Sequence, residues 1–154
     1  MKVPGVLAHL EAQLTLLAQH WTRFSETELL YRRGPDRWSK KEELGHLIDS
    51  AINNHSRFVL VQTTPQPFQL LAYNQDNWVH LAAYQHFPAD ELLALWTSYN
   101  RLIMHLLAQI PESVLAVESL TPNNNPVTLN WLINDYVLHL EHHVRQIVHE
   151  RGQT

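Results

Sequence analysis

His139 and His143 stand four residues apart in a stretch with helical periodicity. Successive helical residues turn by about 100°, so this spacing puts both rings on one face, one turn apart. Two imidazoles so placed can hold one divalent metal ion between them. The alternative is a pair of core histidines, each satisfied by its own hydrogen bonds. Burying two imidazoles side by side is costly unless each finds a partner, and a metal serves both at once. With His139 as reference, Leu132, Tyr136, His143 and Ile147 share the inward face, beside an apolar stripe of Ile133, Val137, Leu140, Val144 and Val148. His142 falls on the wetter side with Asp135, Leu138, Arg145 and His149.

A metal site needs a third ligand from another element. An earlier helical stretch offers His46 and His55. His55 shares an apolar stripe with Ala51 and Phe58, which suits a hydrogen-bonded core or edge histidine. His46 shares a different stripe with Glu43, Ser50, Asn53 and Arg57. That stripe reads equally as a solvated face or as the wall of a water-filled pocket, and phasing does not separate the two. Asp49, three residues after His46, is placed either to orient that ring or to be a plain helix-surface acid. Glu43, Asp49 and Glu141 are the candidate acids and bases, with Glu141 phased away from His139. The remaining histidines, His9, His20, His80, His86, His105 and His149 among them, show no mutual spacing that suggests a site.

Other chemistries are excluded. The 154 residues include 11 His but no Cys, so thiolate zinc sites, iron–sulfur clusters, disulfides and cysteine nucleophiles are absent. Four scattered glycines make no phosphate loop. No HExxH string and no serine nucleophile elbow occur. A formal charge of −4 offers no footprint for nucleic acid. No run approaches the ~20 apolar residues of a membrane span, and the N-terminus lacks the pattern of a signal peptide. A soluble, cytoplasmic protein is expected.

The elements that must position these side chains follow from the prolines. Pro4, Pro35, Pro65, Pro67, Pro88, Pro111, Pro122 and Pro126 divide the chain into long stretches with helical periodicity. The first runs from about 5 to 31, with a stripe of Leu7, Leu10, Leu14, Leu17, Trp21 and Phe24. The second runs from about 39 to 62 and opens on the capping-box pair Ser39 and Glu42. A broken segment from 63 to 88 holds a short helix around 76 to 84. The third helix runs from about 88 to 110. The fourth begins near Thr128, its N-cap, and ends near Gly152. No strand is expected. The chain reads as one all-α domain over 1–154, a four-helix bundle, in which the long third connection permits an order other than simple up-down-up-down.

Several segments resemble the DinB-like superfamily. Pro35-Asp36-Arg37-Trp38-Ser39 followed by Lys41-Glu42-Glu43-Leu44-Gly45-His46-Leu47-Ile48-Asp49 resembles the entry into its second helix. Ala72-Tyr73-Asn74-Gln75-Asp76-Asn77-Trp78-Val79 resembles its Tyr-Asp…Trp-Val segment, and Arg101-Leu102 its mid-helix arginine. His139-Leu140-Glu141-His142-His143-Val144-Arg145-Gln146-Ile147 resembles its His-Asp-x-His-His-x-x-Gln-Ile signature. The match is closest to the branch of metal-dependent hydrolases and bacillithiol S-transferases, and it runs in order from about residue 20 to 148.

The resemblance implies a four-helix bundle of the DinB/YfiT-like type, often a homodimer, holding a divalent metal on His46, His139 and His143. Three neutral imidazoles with an open position suit a catalytic site, with zinc the default metal and nickel among the others that fit. The implied activity is transfer of a low-molecular-weight thiol, supplied from outside this Cys-free chain, to a small-molecule electrophile. Hydrolysis by water at the same site, or a non-enzymatic metal- or ligand-binding bundle, are the alternatives. Asn74 and Leu140 stand where many relatives carry Asp, so any hydrogen bond from position 140 is lost. Trp38, Tyr73 and Trp78 are expected to anchor loops onto the bundle, with a place at the pocket mouth the alternative for Tyr73 and Trp78. Arg101 is expected to form a structural ion pair, with a substrate carboxylate the alternative partner.

Overall fold

Ser39 and Glu42 start the longest helix of the protein as a reciprocal cap. In the computed structural model, which describes residues 1–149, the Ser39 hydroxyl accepts from the Glu42 N–H and the Glu42 carboxylate accepts the Ser39 N–H at 2.9 Å. The elements are α1 (Val3–Trp21), α2 (Glu26–Leu30), α3 (Lys40–Thr63), β1 (Phe68–Gln69), α4 (Gln75–Ala82), α5 (Ala89–Gln109), β2 (Glu118–Leu120), β3 (Pro126–Thr128) and α6 (Leu129–His149). The predicted end of the last helix, near Gly152, lies outside the described residues.

The first predicted helix is divided. A second capping box, Ser25 with Glu28, restarts the chain as α2 and breaks the stretch after Trp21. Phe24 therefore leaves the α1 stripe, while Leu10, Leu14, Leu17 and Trp21 stay buried in it. The Trp21 indole donates to the carbonyl of Ala89 at 3.0 Å, which ties the end of α1 to the start of α5.

The four long helices form a bundle in which two consecutive pairs, α1 with α3 and α5 with α6, do not pack side by side. α1 packs on α5 and α6, and α3 packs on the same two helices. α1 and α3 thus share one diagonal. The order is thus other than simple up-down-up-down, but the connections that cross the diagonals are those from α1 to α3 and from α5 to α6, not the long one from α3 to α5. At the centre, the buried Tyr136 hydroxyl of α6 donates to Asn100 of α5 at 2.6 Å, and Trp96, Phe58 and Leu140 are fully buried around it.

A small sheet corrects the expectation of no strands. β1 pairs parallel to β2, and β2 antiparallel to β3. These strands are two or three residues long, too short to show alternation, and their pairing is non-local. The hairpin between β2 and β3 turns through Asn124 at φ 62°, a left-handed conformation that Asn tolerates. β3 runs straight into α6, whose first turn Thr128 caps by accepting the Trp131 N–H at 3.1 Å. The sheet thereby sets where α6 begins, and so which way its histidines point.

Candidate metal centre

α3 and α6 bring His46, His139 and His143 together. One ring nitrogen from each lies within 4.8 Å of the others. The ring centroids stand 4.5 to 5.1 Å apart, with planes tilted by 60 to 74°. Tilted rings converge their nitrogens on a common point, whereas stacked rings would not.

The Nε2 atoms of His46 and His139 are 3.2 Å apart. Two nitrogens held by one tetrahedral zinc at about 2.0–2.1 Å stand about 3.3–3.4 Å apart. Two of the three donors are also in the right protonation state. Burial, then the neighbouring His143 and His139, push the His46 imidazolium down to about 3. Burial, then His143 and His142, push His139 down to about 4. Both rings are neutral near pH 7 and carry a lone pair that a cation can use.

The far nitrogens are held from behind. Nδ1 of His143 donates to the Glu43 carboxylate at 2.6 Å, which leaves its Nε2 as the acceptor. Nδ1 of His139 lies 3.4 Å from the Ser50 hydroxyl. Such partners fix ring orientation and raise ligand basicity. Nδ1 of His46 is buried without a hydrogen bond. These residues fit a divalent metal.

His46 is fully buried, and the reason lies outside its own helix. Trp38 covers it at 4.8 Å between rings and reaches His143 at 6.4 Å. Trp38 is thus a wall of the site and not merely a loop anchor. One residue before His46, the Tyr84 ring lies so close over Gly45 that a Cβ there would meet it at 2.0 Å. The stripe of Glu43, His46, Ser50 and Arg57 is therefore not a solvated face: Glu43 and His46 meet the α6 histidines, and Ser50 and Arg57 line a cavity. Glu43 was visible on that stripe, but its partnership with His143 carried no local signal.

Asp49 is engaged elsewhere than expected. Tyr84 donates to its Oδ1 at 2.5 Å, its Oδ2 is buried without a partner, and burial raises its pKa despite the Tyr84 hydrogen bond. No hydrogen bond joins it to His46. Glu141 pairs with His9 and Arg145, away from the rings, as phased. His142 is exposed and His55 bonds the Tyr99 hydroxyl at 2.9 Å. Arg101 is exposed on α5 and makes no ion pair among the described residues, contrary to expectation. Asn74 caps α4 by accepting the Asn77 N–H at 2.9 Å, a role open to Asn and Asp alike.

A cavity of about 260 Å³ opens beside His139. Ser50, Asn54, Arg57, Tyr73, Asp135 and Tyr136 are among its lining residues. Tyr73 belongs to this lining, while Trp78 packs behind it at 5.1 Å between rings.

The sequence profile of the DinB superfamily matches residues 9–147. A Bacillus mycoides protein named "putative metal-dependent hydrolase" is 26% identical over 110 residues, 71% of this chain and 62% of that protein. A Bacillus cereus protein of the same description matches to the same extent. The chain thus spans less than two thirds of the length of these curated relatives. YfiT from Bacillus subtilis, described as a probable metal-dependent hydrolase with an unusual four-helix bundle topology, has a similar structure. Its TM-score is 0.85 at 22% identity, over 95% of this chain and 83% of that one. The mycothiol-dependent maleylpyruvate isomerase has a TM-score of 0.75 at 11% identity, over 96% of this chain and 61% of that one. At these identities the structural likeness establishes the fold.

Proposed function

This chain belongs to the DinB superfamily, and we propose that within it the protein is a metal-dependent enzyme that transfers a low-molecular-weight thiol to an electrophilic small molecule. The observation that carries this reading is the convergence of three imidazoles, two of them held neutral by burial, beside a solvent-reachable cavity. A divalent cation bound there supplies the positive charge that holds a thiol as its thiolate near neutral pH.

The residues around the rings have separable tasks. Glu43 holds the Nδ1 proton of His143 and keeps that ring turned toward the centre. Ser50 does the same for His139 more loosely. Trp38 covers the rings of His46 and His143. The carboxylates nearest the rings are committed, Glu43 to His143 and Asp49 to Tyr84. A thiol needs no protein base once its proton has been lost to solvent, so it suits a site whose nearest acids are occupied. That a protein of this fold is mycothiol-dependent supports the same reading.

Hydrolysis by water is the second reading, and Asp135 favours it. It lines the cavity one turn before His139, and desolvation of its carboxylate there raises its pKa, which suits a general base. The names of the sequence relatives point the same way.

Protein reconstituted with zinc or with nickel is assayed with bacillithiol, mycothiol or glutathione and a fluorogenic electrophile, and separately with an ester panel without thiol. Thiol-dependent turnover that His46→Ala abolishes supports transfer. Thiol-independent ester cleavage that Asp135→Asn abolishes replaces it with hydrolysis. Silence in both panels with tight, stoichiometric metal overturns both.

A further inference from the structure

Arg57 sits on the same face of α3 as Ser50, seven residues on, and lines the cavity that ends at His139. Its guanidinium donates to the Leu71 carbonyl at 2.8 Å and to Asn54 Oδ1 at 3.4 Å. A guanidinium has five N–H donors, so most of this fork is uncommitted. Among the described residues no carboxylate lies within ion-pair distance of it. Asp135, on the facing helix, is near enough to be felt electrostatically but is itself exposed. Burial is the largest influence on Arg57 and pulls its pKa down, against the smaller opposing pull of Tyr73 and Asp135. A half-buried arginine with no protein carboxylate paired to it, at the end of a cavity, has the planar fork that recognises carboxylates in pairs of hydrogen bonds.

We propose that the cavity takes a small carboxylic acid, its carboxylate on Arg57 and its reacting end toward His139. The spacing follows from the helix. Seven residues rise about 10 Å, and a helical arginine leans back toward the N-terminus by up to about one turn. The guanidinium and the histidine end are therefore roughly 5–10 Å apart along the helix. A ligand with about five or six bonds between carboxylate and reacting atom spans that gap. The cavity, at about 260 Å³, is smaller than most small-molecule sites of about 300–1,000 Å³, which limits the ligand to that scale. Asp135 and Tyr73 flank the path and leave room for one polar group between the ends. The carboxylate belongs either to the thiol or to the electrophile, and the reading of the reacting end rests on the proposed function above.

The test uses the nickel-loaded full-length protein and calorimetric titration with 6-mercaptohexanoate and its neutral isostere 6-mercapto-1-hexanol. The wild type is expected to bind the acid about tenfold or more tightly than the alcohol, the value of charge-assisted hydrogen bonds. Arg57→Gln is expected to erase that preference and leave the alcohol unchanged, and Arg57→Lys to keep part of it. Hexanoate, which has no sulfur, forms the second arm. Hexanoate binding that depends on Arg57, with neither thiol binding through the metal, upholds the carboxylate site while the thiol-transfer reading fails. Equal binding of acid and alcohol to the wild type, or a preference that survives Arg57→Gln, overturns the carboxylate site whatever the thiols do.

Discussion

Glu43 on α3 and His143 on α6, 100 residues apart in the chain, share a hydrogen bond of 2.6 Å. It does two things at once. It joins two helices of the bundle, and it assigns the proton of one imidazole so that the other nitrogen faces the centre of the site. Replacing the carboxylate keeps the volume and removes the charge. Glu43→Gln is expected to weaken metal binding by about 10–100-fold with the helical circular-dichroism spectrum unchanged. Competition with a chromogenic chelator measures this, and an unaltered metal affinity would remove Glu43 from the site.

Adjacent histidines on α6 offer an internal control. His142 is exposed, while the His143 side chain is only 13% exposed and turned to Glu43. His143→Ala is expected to lose stoichiometric metal by elemental analysis after dialysis, and His142→Ala to retain it. The reverse result would mean that α6 presents a different face to α3 than the one described.

Acid should destabilise the metal-free protein. His46 and His139 titrate near 6.5 when unfolded but at about 3 and about 4 in the fold. Between pH 6.5 and 4 the unfolded chain therefore binds protons that the folded one refuses, and stability falls as pH falls. The slope is up to about 1.4 kcal/mol per pH unit for each ring. Thermal melts in excess chelator, from pH 8 to pH 5, are expected to show a Tm that holds above pH 7 and declines below 6.5. A flat profile would show that the two rings are not desolvated together.

At Gly45, α3 lies directly against the segment before α5. An added Cβ meets three Tyr84 ring atoms at 2.0, 2.3 and 2.5 Å. Gly45→Ala must displace that ring and with it the hydrogen bond to Asp49. Overpacking of this kind costs about 1–3 kcal/mol, or a Tm lower by about 3–10 °C for a chain of this size. Tyr84→Phe tests the hydrogen bond alone and is expected to cost about 1–3 kcal/mol through the unpaired Asp49 oxygen. A Gly45→Ala protein as stable as the wild type would show that Tyr84 does not lie on α3 in solution.

Local chemistry alone determined a good part of this protein. The spacing of His139 and His143 dictates a shared face, because helical rotation is a property of the backbone and not of its surroundings. Ser39 with Glu42 marks the start of α3, because a cap acts within one turn. What covers each face was decided only by the tertiary structure. His46, Glu43, Ser50 and Arg57 form a polar stripe that periodicity cannot tell from a solvated one. It becomes the floor of the metal centre and of the cavity beside it because Trp38 and α6 arrive from other parts of the chain. The strand pairings of Phe68 with Ser119 and of Ser119 with Val127 are likewise invisible locally, since two or three residues hold no period. Periodicity records which residues look the same way from one axis. Which other axis they look at depends on contacts between residues far apart in the chain, and the two partners of such a contact carry no mark of each other in a single sequence.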